Sequence, residues 1–334
     1  MTVIDERMPT RSAVPSWRRA VRGITGRLLR YRPVGHTACR VAYAIGLEQV
    51  SRRMSRQARY VPDRVPFEVP GRDGTPKVGW MFSGEGTDYI VRSIWTHGLA
   101  EYEAPLPRLY ARAVRGAKQV LDVGANSGLY AIIAALAEPG LRVHSFEPFP
   151  PALHWLRENI TLNKLDRRVE IIPAAVGAEA GTVDLFVPAK EFGDTLETSA
   201  SLDPEFRKDH SEVLKVEALT LDDYVRRAGV GAVDVLRADV EAAEHLVLGG
   251  AAGVLQGGPL VLVEVLTDAA AAHLEPLRAR WDYHCLCLLE DRLVELPAVT
   301  NVAGHSNQLW YHRQRRQQIQ EIAEELKMPL VQSA

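Results

Sequence analysis

Apolar and polar positions change their pattern along the chain, and the change divides it near residue 76. Beyond Pro107, short apolar runs typical of buried strands alternate with stretches in which apolar residues recur at helical spacing. Such βαβ alternation predicts a mainly parallel sheet with helices on both faces, so we expect residues 77–334 to form a doubly wound α/β domain. The expected strands are residues 119–123, 141–146, 169–176, 233–238, 259–265, 283–289 and 308–311, and the expected helices are 129–137, 152–163 and 242–255.

Two further segments belong to this part of the chain. Residues 182–187 follow closely on the strand at 169–176 and are expected to pair with it as a hairpin. Near the end of the chain, Ile319, Ile322 and Ala323 fall on one helical face, which predicts a packing helix.

The first 76 residues differ from the rest in charge. Before residue 60 the chain has thirteen arginines and only three acidic residues, although its net charge is −2. We expect residues 1–76 to form a basic, mostly helical appendage. It is predicted to cover the α/β domain as a helical cap or homodimer arm, or to contact an acidic substrate, a carrier protein or a membrane surface.

Composition sets limits on the setting of the protein. A net charge of −2 gives no reason to expect a nucleic-acid partner. Cys39, Cys285 and Cys287 lie in no metal-binding pattern, and the last two are too close along one strand for an ordinary disulfide. No apolar run reaches the roughly 18 residues that cross a bilayer. We therefore expect a reduced, cytoplasmic protein without a metal.

A glycine-rich turn follows the strand at 119–123. Gly124 and Gly128 would let the backbone approach a ligand closely, and Asp122 would steady the turn and the ligand. Asn126 stands where a dinucleotide-binding G-x-G-x-x-G turn has its second glycine, and a Walker lysine is absent from the motif. The turn thus favours a nucleoside without a pyrophosphate, and a tight strand–helix turn of another α/β protein is the alternative.

Acidic residues stand at the ends of three later strands, and they are Glu147, Asp239 and Glu264. Glu147 lies roughly 20 residues beyond the glycine turn, where a carboxylate takes ribose hydroxyls in nucleotide-binding sheets. Asp239 ends the strand at 233–238, and Glu241, Glu244 and His245 follow it. These side chains suit the orientation and deprotonation of a hydroxyl, or else form a solvated first helical turn.

An acid also interrupts the apolar run 261–265. Glu264 needs a partner or a wet pocket there, and is expected to face the same cleft.

Together these residues resemble the FkbM-type family of class I methyltransferases that depend on S-adenosylmethionine (SAM). The resemblance covers roughly residues 88–308, and Ala242 stands where the family usually has glycine. The motifs that carry it are Tyr102-Glu103, residues 121–130, Phe146-Glu147-Pro148, Glu158-Asn159 with Asn163, and residues 174–177, 219–224 and 239–244.

The resemblance implies a Rossmann-like sheet of seven strands, SAM as cofactor, and methyl transfer to a hydroxyl of a sugar, secondary metabolite or peptide-derived natural product. Asp239, Glu241 and His245 are the candidate catalytic residues, without a metal. Residues 97–107 and 194–206 are expected to line the acceptor pocket. The implied cofactor-binding residues are Glu103, Asp122, Gly124, Ala125, Asn126, Gly128, Glu147, Pro148, Ala175 and Asp239.

Other functions stay open on the sequence alone. The acceptor atom is alternatively an amine nitrogen or a carboxyl oxygen of a natural product or peptide. A nicotinamide-dependent oxidoreductase and a non-catalytic SAM-binding module are the further alternatives.

Overall fold

In a computed structural model of the chain, the structure describes residues 41, 61–84, 88–189 and 199–333. The chain divides into two compact units, Met1–Val61 and Pro62–Ala334. Within its described residues the second unit has fourteen strands. They are β1 (Arg64–Pro70), β2 (Pro76–Phe82), β3 (Gln119–Val123), β4 (Arg142–Phe146), β5 (Val169–Ile172), β6 (Ala175–Val176), β7 (Gly181–Pro188), β8 (His210–Leu219), β9 (Val235–Ala238), β10 (Leu260–Glu264), β11 (Tyr283–Leu288), β12 (Leu293–Leu296), β13 (Asn307–His312) and β14 (Leu330–Gln332).

Nine α-helices lie in the described part of the same unit. They are α1 (Tyr89–His97), α2 (Leu106–Ala113), α3 (Leu129–Ala137), α4 (Pro150–Leu162), α5 (Leu221–Ala228), α6 (Glu244–Gly249), α7 (Ala252–Gln256), α8 (Asp268–Arg280) and α9 (Arg316–Leu326). Among the described residues, no helix combines the length and the apolar character that a membrane span requires.

The main sheet has nine strands in the order β14-β12-β11-β13-β10-β9-β3-β4-β5. The five strands from β10 to β5 are parallel, whereas β13 is antiparallel to β10, and β11 pairs antiparallel with β13 and so runs in the direction of the five. Chain order runs outward from β3 to β5 on one side and resumes at β9 on the other. The strand order therefore reverses between β3 and β9, which is where doubly wound sheets bind their ligands.

The predicted doubly wound α/β class is confirmed, but the strand number differs from seven. The sheet continues beyond β11 through β12 and β14, which have only four and three residues. Such short strands have too few positions for a periodic pattern to indicate them.

The core lies around the central parallel strands. Leu121, Leu236 and Val261 are fully buried, and all four residues of β9 are buried. Because successive strand side chains point to opposite faces, a strand buried at every position is covered on both sides. The apolar runs of the sequence therefore belong to the centre of the sheet.

Two predicted elements differ from the observed ones around residue 173. The predicted strand 169–176 is interrupted at Pro173, which has no N–H for a ladder, so β5 and β6 belong to different sheets. Residues 182–187 lie in β7, which pairs with β8 rather than with the preceding strand. The predicted hairpin is thus wrong, and the three strands β6, β8 and β7 form a separate sheet.

The predicted helix at 242–255 is divided into α6 and α7. The break lies at Gly250 and Ala251, and a Cβ on Gly250 would lie 2.2 Å from the carbonyl oxygen of Gly177. This close approach of two backbone segments requires glycine there, and glycine also favours interruption of a helix. The helix predicted at 129–137 has the same bounds as α3, and the packing helix near the end of the chain is α9.

Strands β1 and β2 form an antiparallel hairpin in which Pro70 pairs with Pro76. The boundary predicted between residues 76 and 77 therefore falls inside the hairpin, after the first residue of β2. The second compact unit begins earlier, at Pro62. The helices predicted within residues 1–60 lie outside the described residues, Val41 apart.

Candidate functional site

A cavity of about 240 Å³ lies at the carboxyl ends of the central parallel strands, where the strand order reverses. Eight of the ten predicted cofactor-binding residues line it, and so does Glu241, one of the predicted catalytic residues. The eight are Glu103, Gly124, Ala125, Asn126, Glu147, Pro148, Ala175 and Asp239.

The glycine turn between β3 and α3 forms one wall of this cavity. Gly124 has a φ of 80°, and a Cβ on it would lie 1.8 Å from the carbonyl oxygen of Asp239. Gly128 has a φ of 94°, and a Cβ there would lie 2.6 Å from Leu156 Cδ1. Gly124 therefore requires glycine because the backbone of a neighbouring loop occupies the place of a Cβ, whereas Gly128 is favoured by its positive φ, since Leu156 Cδ1 ends a side chain that can shift. Gly128 is not one of the described residues that line the cavity.

Glu147 connects the end of β4 to the glycine turn. Its Oε2 accepts a hydrogen bond from the backbone N–H of Asn126, and its Oε1 accepts one from Phe149, both at 2.8 Å. Burial outweighs these two bonds and raises the pKa of Glu147 to about 7. Each carboxylate oxygen keeps a second lone pair, so the group can also accept hydrogen bonds from a ligand.

Arg237, on β9, is a central residue of the site that the sequence analysis missed. Its Nη1 donates to Asp122 Oδ1 at 3.1 Å, and its Nη2 donates to Asp239 Oδ2. The guanidinium lies 3.9 Å from the centre of the Tyr130 ring. Burial lowers the pKa of Arg237, but the charges of Asp239 and Asp122 outweigh it and raise that pKa, so the guanidinium stays charged.

Asp122 is the counter-ion of this arginine rather than a wall of the cavity. Its side chain is fully buried in β3 and does not line the cavity, so the predicted contact with a ligand is replaced by one with Arg237. The signal was present in the sequence. Arg237 interrupts an apolar strand as Glu264 does, and a charge in such a run needs a partner.

Three acidic side chains join Asp239 in the cavity wall. They are Glu103, Glu241 and Glu264. Tyr130 donates its hydroxyl to Glu103 Oε2 at 2.5 Å, and Ser306 Oγ donates to Glu264 Oε1 at 2.9 Å. Although Glu103 has accessible surface, its carboxyl is enclosed by protein and faces Asp239, and both effects raise its pKa.

Glu241 and Ala242 both have left-handed backbones, with φ of 57° and 73°. The backbone at position 242 therefore favours the glycine that the family usually has there. Because this chain has alanine instead, Ala242 bears a strain of about 1 kcal/mol. The loop is held from one side by Ser201 Oγ, which donates to the carbonyl of Glu241 at 2.6 Å. On the other side, Glu244 Oε1 accepts from the backbone N–H of Val240 at 2.9 Å.

His245, the third predicted catalytic residue, is not brought to the cavity. It lies on α6 with its ring centre 4.8 Å from that of His273 on α8, and burial together with that neighbour lowers its pKa. Among the described residues, the predicted acid–base group is thus reduced to Asp239 and Glu241, with Glu264 beside them.

The two segments expected at the acceptor pocket both contribute side chains to this cavity. Tyr102 comes from the first, and Ala200 and Leu202 come from the second. Residues 190–198 lie outside the described part of the chain.

The electrostatics of the site favour a positively charged ligand. Five acidic side chains line the cavity, and among the described residues Arg237 is its one basic side chain. Because that guanidinium already faces Asp122 and Asp239, the wall of the cavity carries an excess of negative charge among the described residues, which attracts a positively charged group.

The part of the chain that forms this cavity is similar to a known family of methyltransferases. A family model described as the methyltransferase FkbM domain matches residues 122–283. A curated relative, the 31-O-demethyl-FK506 methyltransferase FkbM of Streptomyces tacrolimicus, is 32% identical over 153 residues, which are 39% of this chain and 58% of that protein. The 2-O-methyltransferase NoeI of Sinorhizobium fredii (strain NBRC 101917 / NGR234) is 30% identical over 172 residues, covering 49% of this chain and 69% of that protein.

The matches do not extend over whole proteins. This chain spans less than two thirds of the first of those relatives, 58% of its length. Among solved structures, a methyltransferase FkbM from Methylobacillus flagellatus KT is similar with a TM-score of 0.38 and 15% identity, over 67% of this chain and 55% of the other.

Proposed function

The chain belongs to the FkbM methyltransferase family, and on that basis we propose that it transfers a methyl group from SAM to a hydroxyl group. The acceptor in this proposal is a sugar, a secondary metabolite or a peptide-derived natural product. The names of the two curated relatives, a 31-O-demethyl-FK506 methyltransferase and a 2-O-methyltransferase, support oxygen as the acceptor atom.

One observation carries the proposal. Strands β4, β3 and β9 are neighbours, and they end in Glu147, the glycine turn and Asp239 around a single cavity. A nucleoside needs a turn without side chains for close backbone approach and a carboxylate for its ribose diol. Within this cavity the turn at Gly124 and the carboxylate of Glu147 supply both.

The residues also fit the charge of SAM. The cavity wall is acidic, which suits a sulfonium cation, whereas Arg237 has a buried Nε that lacks a partner within the described structure. That N–H is a suitable donor to the carboxylate of the methionine part. We expect residues 124–126 to hold the methionine part, Glu147 the ribose, and Ala175 the adenine edge.

Bound SAM supplies a methyl group that is already activated for displacement, so the chain has to align the acceptor and remove its proton. Asp239 and Glu241 border the place where the acceptor hydroxyl must lie, in the loop after β9. Ser201 and Glu244 hold that loop from two sides, and thereby keep the acceptor aligned.

Titration calorimetry with SAM and with NAD tests the proposal. We expect SAM to bind and Glu147→Gln to weaken its binding by about 10- to 100-fold, because hydrogen bonds to a charged group are lost. Since ribose hydroxyls donate to the ionised carboxylate and the pKa of Glu147 is about 7, SAM affinity should fall as the pH falls from about 8 to 6. In Glu147→Gln this dependence should be smaller.

Glu158→Gln, an exposed change on helix α4, is the matched control and should bind SAM like the parent. Tight binding of NAD without binding of SAM would reject the proposal in favour of an oxidoreductase. Labelled SAM incubated with an extract of the source organism then identifies the acceptor, and analysis of the labelled product distinguishes oxygen from nitrogen and carboxyl methylation. Binding without any transfer would instead support a non-catalytic SAM-binding module.

A further inference from the structure

We propose that Glu264 is a catalytic residue whose carboxylate oxygen Oε2 accepts the proton of the acceptor hydroxyl during methyl transfer. This inference rests on the proposed function, because it names the proton acceptor of that same reaction. The three observations behind it are the register of two strands, the distribution of cations in the cavity, and the hydrogen bond that orients the carboxyl group.

The register places Glu264 beside the loop that borders the acceptor. Strands β9 and β10 are parallel, and Ala238 pairs with Val263. The next residues, Asp239 and Glu264, therefore leave the two strand ends side by side, and both line the cavity. Glu264 thus lies where an acceptor next to Asp239 is within reach.

Asp239 is the obvious alternative base, but its carboxylate is occupied. Arg237 donates to Asp239 Oδ2, so this carboxylate already holds a guanidinium. The same guanidinium holds Asp122, so its other side is also engaged. Asp239 is therefore placed to hold Arg237 in position, whereas Glu264 has no such cation beside it among the described residues.

Glu264 has the opposite surroundings. The neighbouring groups with the largest effect on it are Asp239, Glu241, Glu103 and Glu244, and all four are acids. Burial first, and then these negative charges, raise its pKa well above the usual range. A carboxylate with a raised pKa is a stronger base, and general bases work best when their pKa lies near the working pH.

The carboxyl group is also oriented for the task. Ser306 Oγ donates to Glu264 Oε1 at 2.9 Å, and Oε2 has no hydrogen-bond partner within the described part of the chain, so it can bind a ligand. In the proposed step the acceptor oxygen forms a bond to the methyl carbon, and the carbon–sulfur bond breaks with its electron pair remaining on sulfur. The hydroxyl proton passes to Oε2 of Glu264, so the positive charge of the sulfonium and the negative charge of the carboxylate disappear together.

A cation that enters this acidic cavity must favour the ionised form of Glu264. Binding of SAM should therefore release a proton that Glu264 holds in the free protein. S-Adenosylhomocysteine lacks the sulfonium charge and should release fewer protons. The number of protons released on SAM binding can therefore be measured without any turnover of the acceptor.

The experiment compares the parent with Glu264→Gln, in which an amide oxygen still accepts from Ser306. Proton release is measured by SAM calorimetry in buffers of different ionisation enthalpy, and turnover is measured with labelled SAM on the extract fraction that the parent methylates. We expect Glu264→Gln to bind SAM, to release fewer protons than the parent, and to lose about 10²- to 10⁴-fold in turnover. Glu290→Gln, an exposed change in the turn after β11, should match the parent in all three measurements.

Turnover of Glu264→Gln at the parental rate would overturn this inference, and so would unchanged proton release. Either result leaves the proposed function standing if the parent itself binds SAM and transfers the label. A parent that does neither would overturn the proposed function together with this inference.

Discussion

Gly124 illustrates how a single residue joins two parts of the site. The sequence suggests a glycine there because a ligand must approach the backbone, and the structure adds a second reason. The place of a Cβ on Gly124 is taken by the carbonyl oxygen of Asp239, 1.8 Å away. The glycine turn and the loop after β9 can therefore touch only because residue 124 has no side chain.

Gly124→Ala tests this contact against a matched glycine. Gly116 has a similar φ of 73° but nothing within 4 Å of a Cβ, so Gly116→Ala measures the backbone strain alone. We expect Gly116→Ala to cost about 1 to 2 kcal/mol, the strain of a left-handed alanine. Gly124→Ala should cost about 3 kcal/mol or more and abolish SAM binding, because the added methyl group forces the two loops apart.

Denaturant unfolding and calorimetry measure the two effects. Equal losses of unfolding free energy in both variants, with SAM binding retained in Gly124→Ala, would show that the contact with Asp239 does not matter.

Helix α4 connects the glycine turn to the hairpin β1–β2. Asn159 is fully buried on this helix, donates to the carbonyl of Ser127 at 2.8 Å and accepts from the backbone N–H of Phe82 at 2.7 Å. Asn163, one turn later, exchanges hydrogen bonds with the backbone N–H and carbonyl of Trp80. Only the first of these two asparagines reaches the cavity-forming turn.

The two asparagines therefore predict different outcomes when each is changed to alanine. Asn159→Ala leaves the buried carbonyl of Ser127 without this donor, so it should cost about 2 to 3 kcal/mol and weaken SAM binding. Asn163→Ala should cost about 1 kcal/mol and leave SAM binding unchanged, because water replaces the bonds at the exposed Trp80. Thermal unfolding with and without SAM separates the two effects, and weaker SAM binding in Asn163→Ala would contradict the assignment.

The whole molecule buries several acids around its site, and this sets how its stability depends on pH. Glu244 is fully buried, one of its oxygens lacks a partner within the described structure, and burial raises its pKa to about 8. An ordinary glutamate in the unfolded chain loses its proton near pH 4.5. Between pH 4.5 and about 8 the folded state alone keeps the proton, so Glu244 reduces stability as the pH rises.

Glu244→Gln should remove that loss. The amide oxygen still accepts from the backbone N–H of Val240, so the variant should fold and should exceed the parent in unfolding free energy at pH 8 by on the order of a few kcal/mol. At pH 5 the two proteins should be close. Equilibrium unfolding across this range measures the difference, and parallel pH profiles for parent and variant would refute the prediction. Glu158→Gln is again the exposed control.

Local pattern was sufficient for the elements that build the site's frame. Residues 119–123 and 129–137 have the predicted bounds, and Glu147 lines the cavity with the glycine turn. Apolar periodicity and turn chemistry depend on neighbours along the chain, so they can be read without knowledge of the fold. The doubly wound class follows from the order of such elements.

Tertiary structure alone decided the contacts between distant segments. The pairing of β7 with β8, the pairing of Arg237 with Asp122, and the displacement of His245 from the cavity all join or separate residues that the sequence leaves unrelated. Such choices depend on which strands become neighbours and on how a buried charge finds its counter-ion. The sequence thus determined a parallel sheet with a glycine turn and acids at its strand ends, whereas packing determined which of those acids are paired with the cation Arg237 and which line the cavity without contacting it.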